Sequence, residues 1–163
     1  MRKTCLMCMI LFLSVLNVNA AFAQAEKYLV GEKAPEIDVV EWINSDPLTL
    51  GELKGKIVIL DFWATWSISC RVSLPHIQEL YAKYKPEGVV ILSLTRERKI
   101  EYIENFVKKN EMKNPIGISD TTESKYGVKN VPAAVIIDRE GKVYWQGKPM
   151  EGLKESLERL LEN

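Results

Sequence analysis

Histidine occurs once and cysteine three times in this chain of 163 residues. A metal site needs several ligands, and the single histidine, His76, has no second histidine to join it, so we expect no metal and no other cofactor. The 22 basic and 22 acidic side chains are equal in number, which leaves no positive excess for binding nucleic acid. Three cysteines are also too few for a small protein held together by disulfides.

A long apolar stretch is missing as well. The most apolar segment, residues 5–16, has 12 residues, whereas a membrane-spanning helix needs about 20. It follows the basic start MRK and precedes the small-residue sequence AFA, a layout typical of a secretory signal peptide. We therefore predict that residues 1–23 are a signal peptide, with cleavage after Ala20 or Ala25 and an uncleaved anchor as the alternatives. The protein is then expected to be exported, to a periplasm or outside the cell, with no stable membrane span.

Signal cleavage would change the cysteine count. It would remove Cys5 and Cys8 and leave Cys70 as the one thiol of the exported chain. Because exported proteins meet an oxidising environment, a lone thiol there needs a chemical explanation.

The remaining chain alternates buried strand patterns with helical spacing. The order predicts an α/β domain over residues 30–163, with a mixed central sheet flanked by helices. Pro75 is expected to kink the first helix, and the charged run at residues 96–99 is expected to be solvated. The predicted strands are residues 37–42, 48–50, 56–62, 89–94, 115–118, 133–138 and 143–145, and the predicted helices are residues 69–84, 99–110, 122–126 and 151–161.

Several short motifs in this order resemble the thioredoxin superfamily, in particular its exported TlpA-like and ResA-like thiol–disulfide oxidoreductases. The resemblance implies a thioredoxin-like fold with an N-terminal extension of short strands. It covers most of residues 30–163. The motifs are the stretch ILDFWATWSISC at residues 59–70, NVPA at residues 130–133, DREGKV at residues 138–143, AP at residues 34–35 and LKGK at residues 53–56.

The chain departs from this family where the chemistry takes place. By the resemblance, Ser67 stands at the attacking cysteine of the C-x-x-C motif, Ser69 replaces a frequent proline, and Ser73 replaces a frequent glutamate. Only the second cysteine is present, as Cys70. A serine hydroxyl forms no disulfide, so internal cycling between a dithiol and a disulfide is excluded at this motif. Whether the protein is an enzyme is therefore left open.

Two readings of Cys70 stay open. Beside the small Ser67 it is accessible and forms mixed disulfides, or it is an inert thiol packed under its helix. By the resemblance, Asp61 lies beneath Cys70 and acts as a base towards it. The alternative is an edge carboxylate that Lys56 or solvent satisfies.

The resemblance also implies a site for clients. Pro132, preceded by Val131, would form a cis-proline loop that presents a backbone edge to an extended peptide. Trp66 would offer an exposed apolar surface for the same peptide, whereas Trp63 is expected in the core.

Three functions follow from these residues. The first is an exported thioredoxin-like protein limited to single-thiol chemistry, in which Cys70 forms mixed disulfides with protein clients that bear thiols or disulfides, with a partner thiol protein as a further candidate. The second is a non-redox module that binds clients in the peptide groove. The third is a peroxidase-like activity of the Ser67–Cys70 motif, although Trp63 stands where peroxidases of this kind carry a proline.

Overall fold

The computed structural model describes residues 29–163, and the predicted signal peptide, residues 1–23, lies outside them. Six strands form one mixed sheet in the order β1-β4-β3-β2-β5-β6. The strands are β1 (Val39–Ile43), β2 (Val58–Phe62), β3 (Val90–Thr95), β4 (Ile116–Ser119), β5 (Ala133–Ile137) and β6 (Val143–Gly147). The helices are α1 (Ile68–Tyr84), α2 (Ile100–Lys109), α3 (Thr122–Lys125) and α4 (Leu153–Leu161), with a 3-10 turn at Lys85–Glu87.

Strand β2 is the centre of the sheet. All five of its residues are buried, as the apolar run from Val58 to Phe62 predicts. It pairs in parallel with β3 and antiparallel with β5, whereas β1 and β6 are the outer strands. The connections from β2 to β3 and from β3 to β4 each carry a helix, as parallel neighbours require. The prediction of a mixed sheet flanked by helices is confirmed.

The two faces of β2 enter different parts of the core. One cluster contains Val58, Leu60 and Phe62. Tyr126, the residue after α3, is buried in the same cluster. Ile59 lies on the other face, in the cluster that contains residues of α1 and α4. Side chains alternate along a strand, so residue 61 also points towards the face that α1 covers. Within residues 29–163, no helix is both long and apolar enough to cross a membrane.

The predicted strand at residues 48–50 is wrong, because this segment forms a turn. The carboxylate of Glu36 accepts hydrogen bonds from the backbone N–H groups of Leu50 and Gly51 at 2.7 and 3.2 Å. The side chains of Thr49 and Glu52 bond each other and each other's backbone N–H. These local acceptors satisfy the amides that a neighbouring strand would otherwise have to pair.

Helix α1 begins one residue earlier than predicted and continues through Pro75 to Tyr84 as one helix. Ile77 and Leu80, which lie after the proline, are buried in the core. Their burial holds the second half of α1 against the sheet, so the missing N–H of Pro75 does not end the helix. The start of α1 is therefore fixed over the end of β2.

Candidate active site

The start of α1 brings Ser67 and Cys70 together. The chain leaves β2 at Phe62, crosses a short loop, and enters α1 at Ile68. Ser67 is extended (φ −78°, ψ 117°), and its Oγ accepts a hydrogen bond from the backbone N–H of Cys70 at 3.2 Å. Ser67 is thus the N-cap, since it satisfies one of the amide donors that lack a partner inside the helix. Cys70 lies in the first turn, as predicted.

Cys70 is buried, with 5% of its surface exposed. It packs in an apolar cluster with Trp63, Ile103 of α2 and Ile116 of β4. The expectation that the small Ser67 would leave this thiol accessible is therefore wrong. Ser67 is itself only 6% exposed, so replacing sulfur by oxygen at residue 67 opens no path to Cys70.

The surroundings of Cys70 favour the neutral thiol. Burial raises its pKa above the usual value, and the negative charges of Asp61 and Glu97 raise it further. Hydrogen bonds with the Ser67 side chain and the Ala64 backbone act in the opposite direction but do not outweigh burial. A thiol with a raised pKa carries little thiolate near neutral pH and attacks slowly without a base.

Asp61 is a buried carboxyl on the α1 side of the sheet. It is 3% exposed and accepts a hydrogen bond from Ser93 Oγ at 2.8 Å. Burial raises the pKa of Asp61 to about 7, although the Ser93 hydrogen bond lowers it in part. The alternative in which Lys56 or solvent satisfies an edge carboxylate is wrong, because β2 is central and the donor is Ser93.

One small cavity under the start of α1 connects these groups. Asp61, Trp63, Cys70 and Ser73 line it together with apolar residues of α1 and α2. Trp63 is 4% exposed, which confirms its predicted place in the core, and its Nε1 has no hydrogen-bond partner among residues 29–163. The predicted acid and the predicted thiol therefore face the same enclosed space.

A chain of polar side chains continues from Asp61 away from the cavity. Asn114 Nδ2 donates to Ser93 Oγ at 2.9 Å, and Gln78 Nε2 donates to Asn114 Oδ1 at 2.9 Å. Ser93 and Asn114 are both fully buried. Because Ser93 accepts from Asn114, its single hydroxyl proton is directed to Asp61. Sequence reasoning missed both residues, and the one available signal was Ser93, a hydroxyl between the apolar residues Leu92 and Leu94 of β3.

The predicted client-binding residues are only partly brought together. Val131 and Pro132 line an open groove of about 730 Å³ with Ile68, Ser69 and Val72 at the start of α1. The Val131–Pro132 peptide bond is cis. Trp66 is 69% exposed, as predicted, but it lies beside the groove rather than among its lining residues.

The charged run at residues 96–99 is a loop that leads into α2, and its three basic residues are exposed, as the prediction of a solvated segment expects. Arg96 Nε pairs with Glu123 at 2.9 Å, and Arg98 pairs with Asp120 at 2.6 Å. Glu97 departs from the prediction, because it is half-buried and its carboxylate accepts hydrogen bonds from Thr65 in the loop before α1.

Metal binding has no support in the described part of the chain. Residues 29–163 hold no group of three or more histidine, cysteine, aspartate or glutamate side chains placed to bind an ion. His76 is half-buried on α1.

Comparison with known proteins agrees with this geometry. The family model described as "AhpC/TSA family" matches residues 30–146. The thiol-disulfide oxidoreductase ResA of Bacillus cereus is 37% identical over 142 residues, which are 86% of this chain and 81% of that protein. ResA of Bacillus subtilis is 32% identical over 145 residues, which are 87% of this chain and 80% of that protein.

Solved structures show the same fold. A protein of Chlorobium tepidum, assigned as the thiol:disulfide interchange protein DsbE, superimposes with a TM-score of 0.72 at 28% identity, covering 83% of this chain and 99% of that one. The thioredoxin domain of a Bacteroides vulgatus thiol-disulfide oxidoreductase superimposes with a TM-score of 0.74 at 21% identity, with the same coverage. The chain therefore belongs to the AhpC/TSA family of thioredoxin-like proteins, on the branch that contains the ResA proteins.

Proposed function

We propose that this chain is an exported thiol–disulfide protein restricted to single-thiol chemistry at Cys70. The observation that carries the proposal is the cap of α1, where the Ser67 hydroxyl accepts from the Cys70 N–H at 3.2 Å. A thiol at residue 67 would have the helix dipole and free amides to stabilise its thiolate. The hydroxyl present there forms no disulfide, and residues 29–163 contain no cysteine besides Cys70.

The proposed step is one exchange of sulfur partners. In the proposed step the loop before α1 opens to admit the client, Asp61 takes the proton of Cys70 Sγ, and the thiolate attacks one sulfur of a client disulfide. A bond forms between Cys70 and that sulfur, and the second client sulfur leaves as a thiolate and takes up a proton. In this step Cys70 is oxidised and the client's leaving sulfur is reduced.

Release then needs a thiol from outside the chain. The thiolate of a partner protein, or of a small thiol, attacks the mixed disulfide and frees Cys70 in its reduced form. The raised pKa of Asp61, about 7, suits a carboxyl that exchanges a proton with a thiol near neutral pH. The proposed partners are therefore proteins that bear thiols or disulfides.

Trapping tests this proposal directly. In a full-length chain with Cys5→Ser and Cys8→Ser, Cys70 is the only thiol. The folded protein is incubated with oxidised glutathione, and adducts are measured by intact mass. The control is the same chain with the further substitution Cys70→Ala. A glutathione adduct on folded protein is expected. An adduct that forms only after unfolding in urea would contradict single-thiol chemistry.

A second candidate is the non-redox binding module. It is favoured by the position of Cys70, which is 5% exposed and does not line the groove that Ile68 and Pro132 line. Under this candidate, Cys70→Ala binds clients as the unchanged protein does, whereas single-thiol chemistry predicts the loss of covalent capture. Trp63, which stands where peroxidases of this kind carry a proline, disfavours the peroxidase-like alternative.

Export is part of the proposal. The basic start, the apolar segment at residues 5–16 and the AFA sequence support cleavage after Ala23. The protein is recovered from the periplasm or the medium of an expressing bacterium, and its intact mass is measured. The mass expected is that of a chain that begins at Gln24. A full-length mass in the cytoplasm alone would contradict export.

A further inference from the structure

The loop before α1 is held by one carboxylate from a different part of the sheet. Glu97 Oε2 accepts from the backbone N–H of Thr65 at 2.5 Å, and Glu97 Oε1 accepts from Thr65 Oγ1 at 2.7 Å. The carbonyl of Thr65 accepts from Arg71 Nε of α1 at 3.1 Å. Thr65 therefore has its amide, carbonyl and hydroxyl groups all bonded, two residues before the cap Ser67.

The direction of Glu97 is set by its neighbours. Arg96 pairs with Glu123 of α3, and Arg98 pairs with Asp120, which directly follows β4. The backbone N–H of Glu97 donates to Thr95 Oγ1 at 3.3 Å. The loop after β3 is thus anchored on both sides of Glu97, so the carboxylate meets Thr65 with little freedom to turn away.

We propose that Glu97 is a positioning residue for Cys70, which holds the Thr65–Ser67 loop over the thiol and keeps a negative charge beside it. The proposal rests on the proposed function, since Cys70 is taken as the reacting group. Two bonds to a charged acceptor are stronger than bonds to a neutral one and fix both the amide and the side chain of Thr65. The loop that covers Cys70 therefore depends on a residue 27 positions away along the chain.

The charges that face Cys70 determine in which direction a change at Glu97 moves the pKa of the thiol. Asp61 approaches from β2 and Glu97 from the loop after β3, and both raise the pKa of the thiol after the larger effect of burial. The side chains that α2 and β4 pack against Cys70, Ile103 and Ile116 among them, are apolar. Removing the Glu97 charge therefore lowers the pKa of Cys70, and any loosening of the loop lowers it further by exposing the thiol.

Three variants separate charge from position in the chain that carries Cys5→Ser and Cys8→Ser. Glu97→Gln removes the charge and one of the two acceptors, and Thr65→Val removes only the hydroxyl bond. Glu104→Gln, on the exposed side of α2, is the matched control. The readouts are amide hydrogen exchange at Thr65 and Cys70, and the rate of Cys70 alkylation by iodoacetamide against pH.

The expected results differ among the variants. Glu97→Gln speeds exchange at Thr65 about tenfold or more, because a charge-assisted bond is lost, speeds exchange at Cys70 as well, and moves the alkylation midpoint to lower pH. Thr65→Val keeps the Glu97 charge, so it raises the alkylation rate and moves the midpoint by less than Glu97→Gln does. Glu104→Gln matches the unchanged protein. If Glu97→Gln gives the same exchange and the same pH profile as Glu104→Gln, the proposal is wrong.

The two readouts also separate this proposal from the proposed function. If folded Cys70 resists iodoacetamide at every pH in all variants, single-thiol chemistry fails. Hydrogen exchange still decides on Glu97 in that case: faster exchange at both Thr65 and Cys70 supports the positioning role, and unchanged exchange at both overturns it.

Discussion

Ser93 lies directly opposite Asp61 in the register of β2 and β3, and its hydroxyl donates to the Asp61 carboxyl at 2.8 Å. Neighbouring residues of parallel strands present their side chains on the same face. This pair is therefore a buried polar group on the face of the sheet that α1 covers. The protonation of Asp61 is coupled to the stability of the fold.

Asp61→Asn is expected to change how stability depends on pH. The native pKa of about 7 lies above the ordinary value of 3.8, so between these values the native state holds a proton that the unfolded state has lost. The unchanged protein therefore loses stability as pH rises from about 4 to about 7. Relative to it, Asp61→Asn should gain about 4 kcal/mol between pH 4 and pH 8.

Urea unfolding at fixed pH measures this difference. Asp46→Asn removes the same charge from an exposed turn and controls for the change in net charge. A stability difference between Asp61→Asn and the unchanged protein that stays constant from pH 4 to pH 8 would contradict a raised native pKa.

Ser93→Ala is expected to cost about 1–3 kcal/mol, because it removes the hydroxyl that donates to the buried Asp61 carboxyl and one of the two acceptors of the Asn114 amide N–H groups. The loss should be larger at pH 8 than at pH 5, since the hydrogen bond to Asp61 is stronger when the carboxyl is ionised. A double-mutant cycle with Asp61→Asn, followed by urea unfolding, measures the coupling. Additive effects at both pH values would show that the two side chains do not interact.

Ser67→Ala removes the cap of α1. The expected loss is about 1 kcal/mol of unfolding free energy, together with a higher pKa for Cys70, because the Ser67 hydrogen bond lowers it. Ser69→Ala, on an exposed residue of the same turn, should stay within about 0.5 kcal/mol. Thermal unfolding and the pH profile of iodoacetamide labelling measure the two effects, and equal losses in both variants would argue against the cap.

Ser67→Cys is expected to restore a two-thiol site. The new thiol would lie at the start of α1, three residues before Cys70, where a disulfide can close and the helix dipole stabilises the attacking thiolate. Reduction of insulin with dithiothreitol as the reductant measures the gain. Ser69→Cys adds the same thiol at a position without the cap and should give background rates. A folded Ser67→Cys protein with neither a disulfide nor activity would refute the placement of residue 67.

The two tryptophans of the loop should respond in opposite ways. Trp66→Ala removes a side chain that is 69% exposed and should change stability by less than about 0.5 kcal/mol, while weakening binding of a peptide client. Trp63→Ala empties a core position and should cost about 3–5 kcal/mol. Urea unfolding and peptide titration distinguish them, and unchanged client binding in Trp66→Ala would exclude its role.

Most strands and helices, and the position of Cys70 in the first turn of α1, could be predicted from the sequence, whereas the capping role of Ser67 could not. Apolar runs such as Val58–Phe62 predict buried strands because their spacing is local, and the Ser67–Cys70 spacing predicts both residues in one turn. The burial of Trp63 and the exposure of Trp66 followed from the family motif. These features depend on neighbours within a few positions of each other along the chain.

The parts that sequence reasoning missed depend on distant residues. Glu97 reaches Thr65 across 32 positions and Asn114 reaches Ser93 across 21. The carboxylate of Glu36 accepts hydrogen bonds from the backbone N–H groups of Leu50 and Gly51, where the sequence predicted a strand at residues 48–50. In each case the folded chain brings a polar side chain to a partner that is distant in the sequence. The periodicity of apolar residues does not predict such pairs.

The hydroxyl cap of α1 has one consequence for the whole molecule. A pair of cysteines at residues 67 and 70 would have two covalent forms, a dithiol and a disulfide, and the surrounding potential would select between them. With Ser67 in that position, no disulfide can close between residues 67 and 70, in a reducing or in an oxidising compartment. The surface formed by Ile68, Val72 and Pro132 is therefore not switched by an internal disulfide of this turn.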